Sequence, residues 1–151
     1  MIRDEAPTGE ASRALFDEYM AVVSERLGDD FRPIEEIFAT EGAFEGPGTA
    51  WLVLYEDERP VGCGGLRPLA AGVGEIKRMF VTAAARGRGH GRRLLAELER
   101  RARDAGYDRV RLYTTEVLHE ARALYADADY RAIEVAAVGD RAEDVWLEKR
   151  L

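Results

Sequence analysis

Cysteine is almost absent from this chain: Cys63 is the only one in 151 residues. No intramolecular disulfide can form, and a cysteine-built zinc cluster is excluded. Histidine is nearly as scarce. His90 and His119 stand alone, too few to suggest a histidine metal site, so no metal is expected. No apolar run is long enough to span a bilayer. The opening residues, MIRDEAPTGE, lack the apolar core of a signal peptide. A cytoplasmic protein that makes no membrane contact is therefore expected. Repeats and low-complexity tracts are missing too. What is present is an ordinary globular balance, 46% apolar and 34% charged. Residues 1–151 suit one domain with a sizeable core, and no internal boundary is visible.

Charge is unevenly spread. The net value is −7, yet residues 1–60 alone carry fifteen acidic and five basic side chains. The remainder is net positive. Such an asymmetry suits a cationic ligand in one half and an anionic one in the other, although solvated helix faces would read the same way. Arginines between 86 and 111 raise nucleic-acid binding as a class. The negative net charge and the lack of a recognised binding motif argue against it.

The pattern along the chain alternates strands and helices. Residues 2–6 fit a short first strand. Ala14, Leu15, Tyr19, Val22 and Val23 recur at helical spacing between Glu10 and Arg26, with Gly28 as the stop. Pro33 to Ala39 fits a short helix with proline in its first turn. EGAFEGPGT reads as a loop. Trp51 to Tyr55 and Val61 to Leu66 read as a hairpin joined by EDER. After the loop AAGVG comes a strand from Glu75 to Val81. A long helix runs from about Gly89 to Ala105, with Leu94, Leu95, Leu98 and Ala102 on one face and Gly106 as its left-handed cap. Arg109 to Thr115 is a strand and Glu120 to Ala126 a helix. Tyr130 to Val135 and Val145 to Leu151 are the last strands. The order implies an α/β chain with a mixed sheet and helices packed on it.

The most informative stretch is Arg86-Gly-Arg-Gly-His-Gly-Arg92, between a strand and a long helix. Gly87, Gly89 and Gly91 remove side chains, so backbone N–H groups can approach an anion closely. The helix after it offers unpaired N–H groups and a partial positive charge. Arg86, Arg88, Arg92 and Arg93 add full charges. Together these make a site for a pyrophosphate, although a helix-start loop with solvated arginines has the same look. The dinucleotide pattern fails because Arg92 takes its third glycine position. The Walker pattern fails because no Lys-Ser or Lys-Thr pair comes next.

Arg86, Gly89 and Gly91 resemble the coenzyme-A-binding motif of the GNAT superfamily of N-acetyltransferases, Arg/Gln-x-x-Gly-x-Gly/Ala. The preceding GEIKRMFV and following RRLL are similar to that family as well. So is Glu120-Ala-Arg-Ala-Leu-Tyr125, followed by Asp129-Tyr130. The resemblance covers about residues 50–135. Residues 1–48 match less clearly. It implies a single GNAT-like domain whose mostly antiparallel twisted sheet splays between two central parallel strands. It also implies acetyl-CoA as co-substrate, with the loop residues Arg86 to Arg92, His90 included, around its phosphates. The pantetheine arm would pair with Met79, Phe80 and Val81, in a strand carrying a β-bulge.

The implied reaction is direct attack of a primary amine, here of a small molecule, on the acetyl thioester. The amine must first lose a proton. Glu75, eleven residues before Arg86, is the candidate base by resemblance. Glu35, Glu36, Glu41 and Glu45 are alternatives. Tyr125 matches the family's tyrosine, a neutral phenol that can protonate the departing thiolate. Backbone N–H groups near Met79 to Val81 can receive the oxyanion. The acidic first third suits a cationic acceptor. Asp129 departs from the family's glycine but tolerates a left-handed turn. Cys63 reads as a small buried residue and Tyr130 as a core aromatic, while Tyr113 either packs in the core or faces the pocket from its strand. A protein lysine or N-terminal acceptor, and a non-catalytic acyl-CoA-binding or regulatory module, remain open. A homodimer is plausible.

Overall fold

The computed structural model describes residues 1–28, 41–115, 119–134 and 144–151. The helix expected between Pro33 and Ala39 lies outside them. The described strands are β1 (Ile2–Asp4), β2 (Ala50–Glu56), β3 (Arg59–Ala70), β4 (Val73–Val81), β5 (Arg109–Thr115), β6 (Arg131–Ile133) and β7 (Asp144–Arg150). They form one mixed sheet in the order β1-β2-β3-β4-β5-β7-β6. Only the β4–β5 pair is parallel among the described strands. Among the described residues, three helices flank the sheet: α1 (Glu10–Leu27), α2 (His90–Asp104) and α3 (His119–Asp127). No helix among the described residues is long and apolar enough to cross a membrane.

Strand alternation divides the core between the two faces. Leu52, Leu54, Leu66, Ile76, Val110 and Leu112 meet Leu94, Leu95 and Leu98 of α2 on one face. Each of these leucines on α2 is almost wholly buried, worth roughly 1.5–3 kcal/mol. Trp51, Val53, Cys63 and Phe80 meet Leu15 of α1 on the other face, with Phe16, Tyr19 and Val22 packed around them. Trp51 Nε1 donates to Ser12 Oγ at 2.9 Å, and Ser12 donates on to the Ala6 carbonyl at 2.9 Å. That chain satisfies two polar groups in the α1 contact.

Local chemistry accounts for the joints. Asp57 and Glu58, both at positive φ (49° and 62°), form the two-residue turn between β2 and β3. The loop expected at AAGVG is shorter than its composition suggested. Gly72, at φ 71°, lets β3 run to Ala70 and β4 start at Val73. Helix α2 ends in a Schellman arrangement at Gly106, with Tyr107 N–H on the Ala102 carbonyl and Gly106 N–H on the Arg103 carbonyl, each at 3.0 Å. Asp129 takes the left-handed conformation expected of it, φ 69°.

Two features of β4 open the sheet at one end. The ladder with β3 pairs Gly65 with Lys77 and Cys63 with Phe80, so β4 carries an extra residue there. Arg78 sits in this bulge at φ 57°. The parallel ladder with β5 ends at Ile76–Leu112. Beyond that rung both strands continue without pairing to each other, and the sheet splays open.

Candidate functional site

The loop after β4 passes through a helical turn, Ala83–Ala85, to Arg86. Gly87 and Gly89 come next at φ 77° and 79°. A Cβ on either would meet nothing within 4 Å, so a backbone conformation, not crowding, demands glycine there. Gly91 answers crowding instead: a Cβ would lie 3.1 Å from Leu124, where α3 docks on the first turn of α2. Gly89 is the N-cap of α2 and offers no side-chain cap. The first N–H groups of α2 are thus left for a ligand.

These residues border a cleft of about 350 Å³. One wall is the end of β4 with Met79, Phe80 and Val81, and another is α3 with Leu124 and Tyr125. The loop contributes Arg86, Gly87, Gly89, His90, Gly91 and Arg92. Arg86 is fixed by its Nε on the Val81 carbonyl at 3.1 Å. Its guanidinium also lies 3.6 Å from Glu120. Arg88 departs from expectation. It turns out of the cleft onto Glu56 at 2.6 Å and the Ala84 carbonyl at 3.1 Å. His90 is buried, with Nε2 3.1 Å from Glu56, while its Nδ1 is buried without a partner. An orphaned polar atom in this wall, an uncapped helix start and two cradle glycines fit a polyphosphate ligand.

Tyr125 is 5% exposed, and its ring is tilted against that of Tyr130, centroids 5.7 Å apart. Burial, and then the neighbouring Tyr19, push its phenol well above the ordinary range. It is therefore a group that holds its proton until one is demanded. Tyr19 closes the cleft from α1 together with Val22 and Arg26. Its ring lies 5.3 Å from Phe80, and burial pushes its phenol up as well. The sequence marked Tyr19 only as an apolar helix position. Nothing local distinguishes a helix tyrosine that faces a cleft from one that faces a core. Arg26 also reaches across the cleft, with two hydrogen bonds to Glu120 at 2.8 and 2.7 Å.

Glu75 is not brought to Tyr125 in this cleft. Strand pleating sends it to the face opposite α2, where Arg67 donates to its Oε1 at 3.2 Å and the Lys77 ammonium lies 3.4 Å away. It is 3% exposed. Among the alternative bases, Glu45 is exposed, Glu35 and Glu36 lie outside the described residues, and the side chain of Glu41 is also outside them. Cys63 behaves as the buried small residue expected. Burial pushes its thiol up to about 12, which leaves no thiolate for nucleophilic attack. Tyr130 is in the core, with its hydroxyl on Glu99 at 3.0 Å. Tyr113 is not: it is 42% exposed, because β5 turns Val110 and Leu112 inward and Tyr113 outward. His119 opens α3 on the surface.

Known proteins share this fold and parts of this sequence. Residues 12–130 match the model of the acetyltransferase (GNAT) family. The uncharacterized N-acetyltransferase YjgM of Escherichia coli strain K12 is 37% identical over 97 residues, 62% of this chain and 58% of that protein. The IAA acetyltransferase of Azospirillum brasilense is 41% identical over 80 residues, 52% of each chain. The chain thus spans little more than half the length of these two relatives. A solved Klebsiella pneumoniae protein, assigned to the acyl-CoA N-acyltransferases, superposes with a TM-score of 0.79 at 29% identity. That match covers 100% of this chain and 97% of the other. A glycine-arginine loop at a helix start, a bulged β4 parting from β5, and a match over most of the chain agree: the protein belongs to the acetyltransferase (GNAT) family of acyl-transfer enzymes.

Proposed function

We propose that this chain moves an acetyl group from acetyl-CoA to a primary amine of a small molecule. One observation carries the reading. The Arg86–Gly91 loop, the end of β4 past its last rung to β5, and the buried Tyr125 converge on one cleft.

In this reading the N–H groups of Gly87 to Gly91, with Arg86 and Arg92, hold the pyrophosphate. The backbone of Met79 to Val81, past the last rung to β5, pairs with an extended amide-containing arm. When bound, the coenzyme supplies an acetyl thioester. The acceptor enters through the splay between β4 and β5. Its N–C bond forms as the C–S bond breaks. Tyr125 gives its proton to the departing sulfur, and backbone N–H groups near Met79 to Val81 receive charge on the acetyl oxygen. Glu75, on the far side of the splay, takes the amine's proton through water. A cytoplasmic location suits a chain whose one cysteine is buried and reduced.

Calorimetric titration of acetyl-CoA into the purified protein, with desulfo-CoA and NAD as comparators, tests the cleft. Micromolar binding of both coenzyme A ligands without NAD binding is expected. A thiol-release screen over primary amines then tests transfer. Absence of coenzyme binding overturns the reading.

A further inference from the structure

The face of the sheet opposite α2 has two halves. Over β2 and β3 it is apolar and covered by α1. Around the splay it is charged. Arg67 of β3, Lys77 of β4 and Arg111 of β5 all point to this side, because Leu66, Ile76 and Leu112 point to α2.

Among the described residues, two of these cations share one carboxylate oxygen. One carboxylate oxygen of Glu75 serves both Arg67, at 3.2 Å, and Lys77, at 3.4 Å. Glu148 of β7 is held by Arg111 at 2.6 Å, with Arg109 at 3.7 Å. Arg78, in the bulge, adds a guanidinium on this side, 5.7 Å from the ring of Phe16. Lys77 feels these neighbours. Burial holds its ammonium below the ordinary range, and Arg67 and Arg78 press the same way against Glu75. An arriving anion would relieve that field.

Two further groups sit beside the cations. Tyr113, the first β5 residue past the last rung, is exposed and lies 5.7 Å from the ring of Trp146. Trp146 Nε1 is buried without a hydrogen-bond partner. A buried donor left unpaired costs roughly 1–3 kcal/mol, and a bound acceptor group removes that cost.

We propose that this face receives the acceptor, and that the acceptor carries a carboxylate beside its amine. The carboxylate sits on Arg67 and Lys77, and the amine is thereby presented to the splay. The substrate class is small amino acids and related amino-carboxylates. This differs from the cationic acceptor that the acidic first third suggested, and it rests on the acetyl-transfer reading above.

The test compares matched acceptors by thiol release from acetyl-CoA: L-phenylalanine, L-methionine and L-glutamate, each beside its α-amide and its decarboxylated amine. At least tenfold higher kcat/KM is expected for the carboxylate member of one set. Lys77→Met is expected to raise KM for that member at least fivefold, and the KM of its amide far less. Lys77→Arg, which keeps the charge, is expected to restore most of the loss, and it separates recognition from folding. Equal or faster turnover of amides and decarboxylated amines overturns the proposal. So does an equal effect of Lys77→Met on both members. Silence of every amino-carboxylate in a protein that binds acetyl-CoA overturns it while the coenzyme site stands. Failure to bind acetyl-CoA overturns the underlying reading instead.

Discussion

The two sides of the splay are built differently. The side proposed to hold the coenzyme takes most of its parts from one continuous segment, Met79 to Arg92, with α3 closing over it. Its positive groups are spaced around glycines and an open helix start, so backbone donors dominate. The other side draws single residues from β3, β4, β5 and β7. Its groups are side chains in shared ion pairs. The difference teaches where specificity can vary. A cradle of backbone N–H groups is insensitive to most substitutions, whereas a face made from single side chains changes its ligand with each one.

The sharpest way to break this comparison is at Tyr125, where the sides meet. Tyr125→Phe removes the proton but keeps the ring packed against Tyr130. Turnover is expected to fall roughly 100-fold, within the range for a lost general acid. Calorimetric affinity for acetyl-CoA should be unchanged. Equal turnover in the variant removes Tyr125 as the acid. Next in size is Glu75→Gln. If Glu75 takes the amine's proton, the rate should fall about tenfold or more, and most at low pH, where free amine is scarce. A pH–rate profile of unchanged shape with a lowered Tm would mean that Glu75 only holds Arg67 and Lys77 in place.

Arg86 and Arg88 provide a contrast inside the loop itself. Both looked equivalent in the run Arg86 to Arg92, yet only Arg86 borders the cleft. Arg86→Ala is expected to weaken acetyl-CoA binding about tenfold, the scale of one charge-assisted contact. Arg88→Ala removes a surface pair with Glu56, side chain 54% exposed, and surface pairs are worth about 1 kcal/mol at most. Its effect on coenzyme affinity should stay within about twofold, read in the same calorimetric titration. Similar losses in both variants would place Arg88 back in the cradle.

These residues also mark what could be read in advance. The loop was legible because its chemistry is contiguous: glycines, arginines and a helix start adjoin in the chain. The place of Tyr125 on the cleft wall was legible through the pattern around it. A bulge in this strand was expected from the resemblance, but its place at Arg78 was not legible, since a positive φ at an arginine leaves no compositional trace. Glu99 read as one more charge in RRLLAELERR, yet it is 6% exposed. Its partners, Tyr130 and Lys149, are 31 and 50 positions away. Arg67, Lys77 and Arg111 each looked like the solvated side of a strand. Only the register of three neighbouring strands gathers them at the splay.

The smallest expected effect lies at the mouth of the coenzyme side, where Glu120 faces Arg86 at 3.6 Å while Arg26 holds it from α1. Its carboxylate competes for the guanidinium that the phosphates would use. Glu120→Gln should therefore tighten acetyl-CoA binding, by roughly two- to threefold given the half-exposed setting. Arg26 holds the Glu120 carboxyl down to about 2, against about 4.3 when unperturbed. A lowered carboxyl lends stability above its unfolded value and loses it as pH falls through its folded value. The tie between α1 and α3 is thus intact throughout neutral pH and is lost only as pH drops from about 4 towards 2. The gain from Glu120→Gln should accordingly be the same at pH 6 and pH 8 in paired titrations. Weaker binding in that variant would mean that the tie matters more than the competition. Arg26→Ala would then show the same loss, and the ion pair would add to the packing of Leu15, Phe16 and Tyr19 in keeping α1 on the cleft wall.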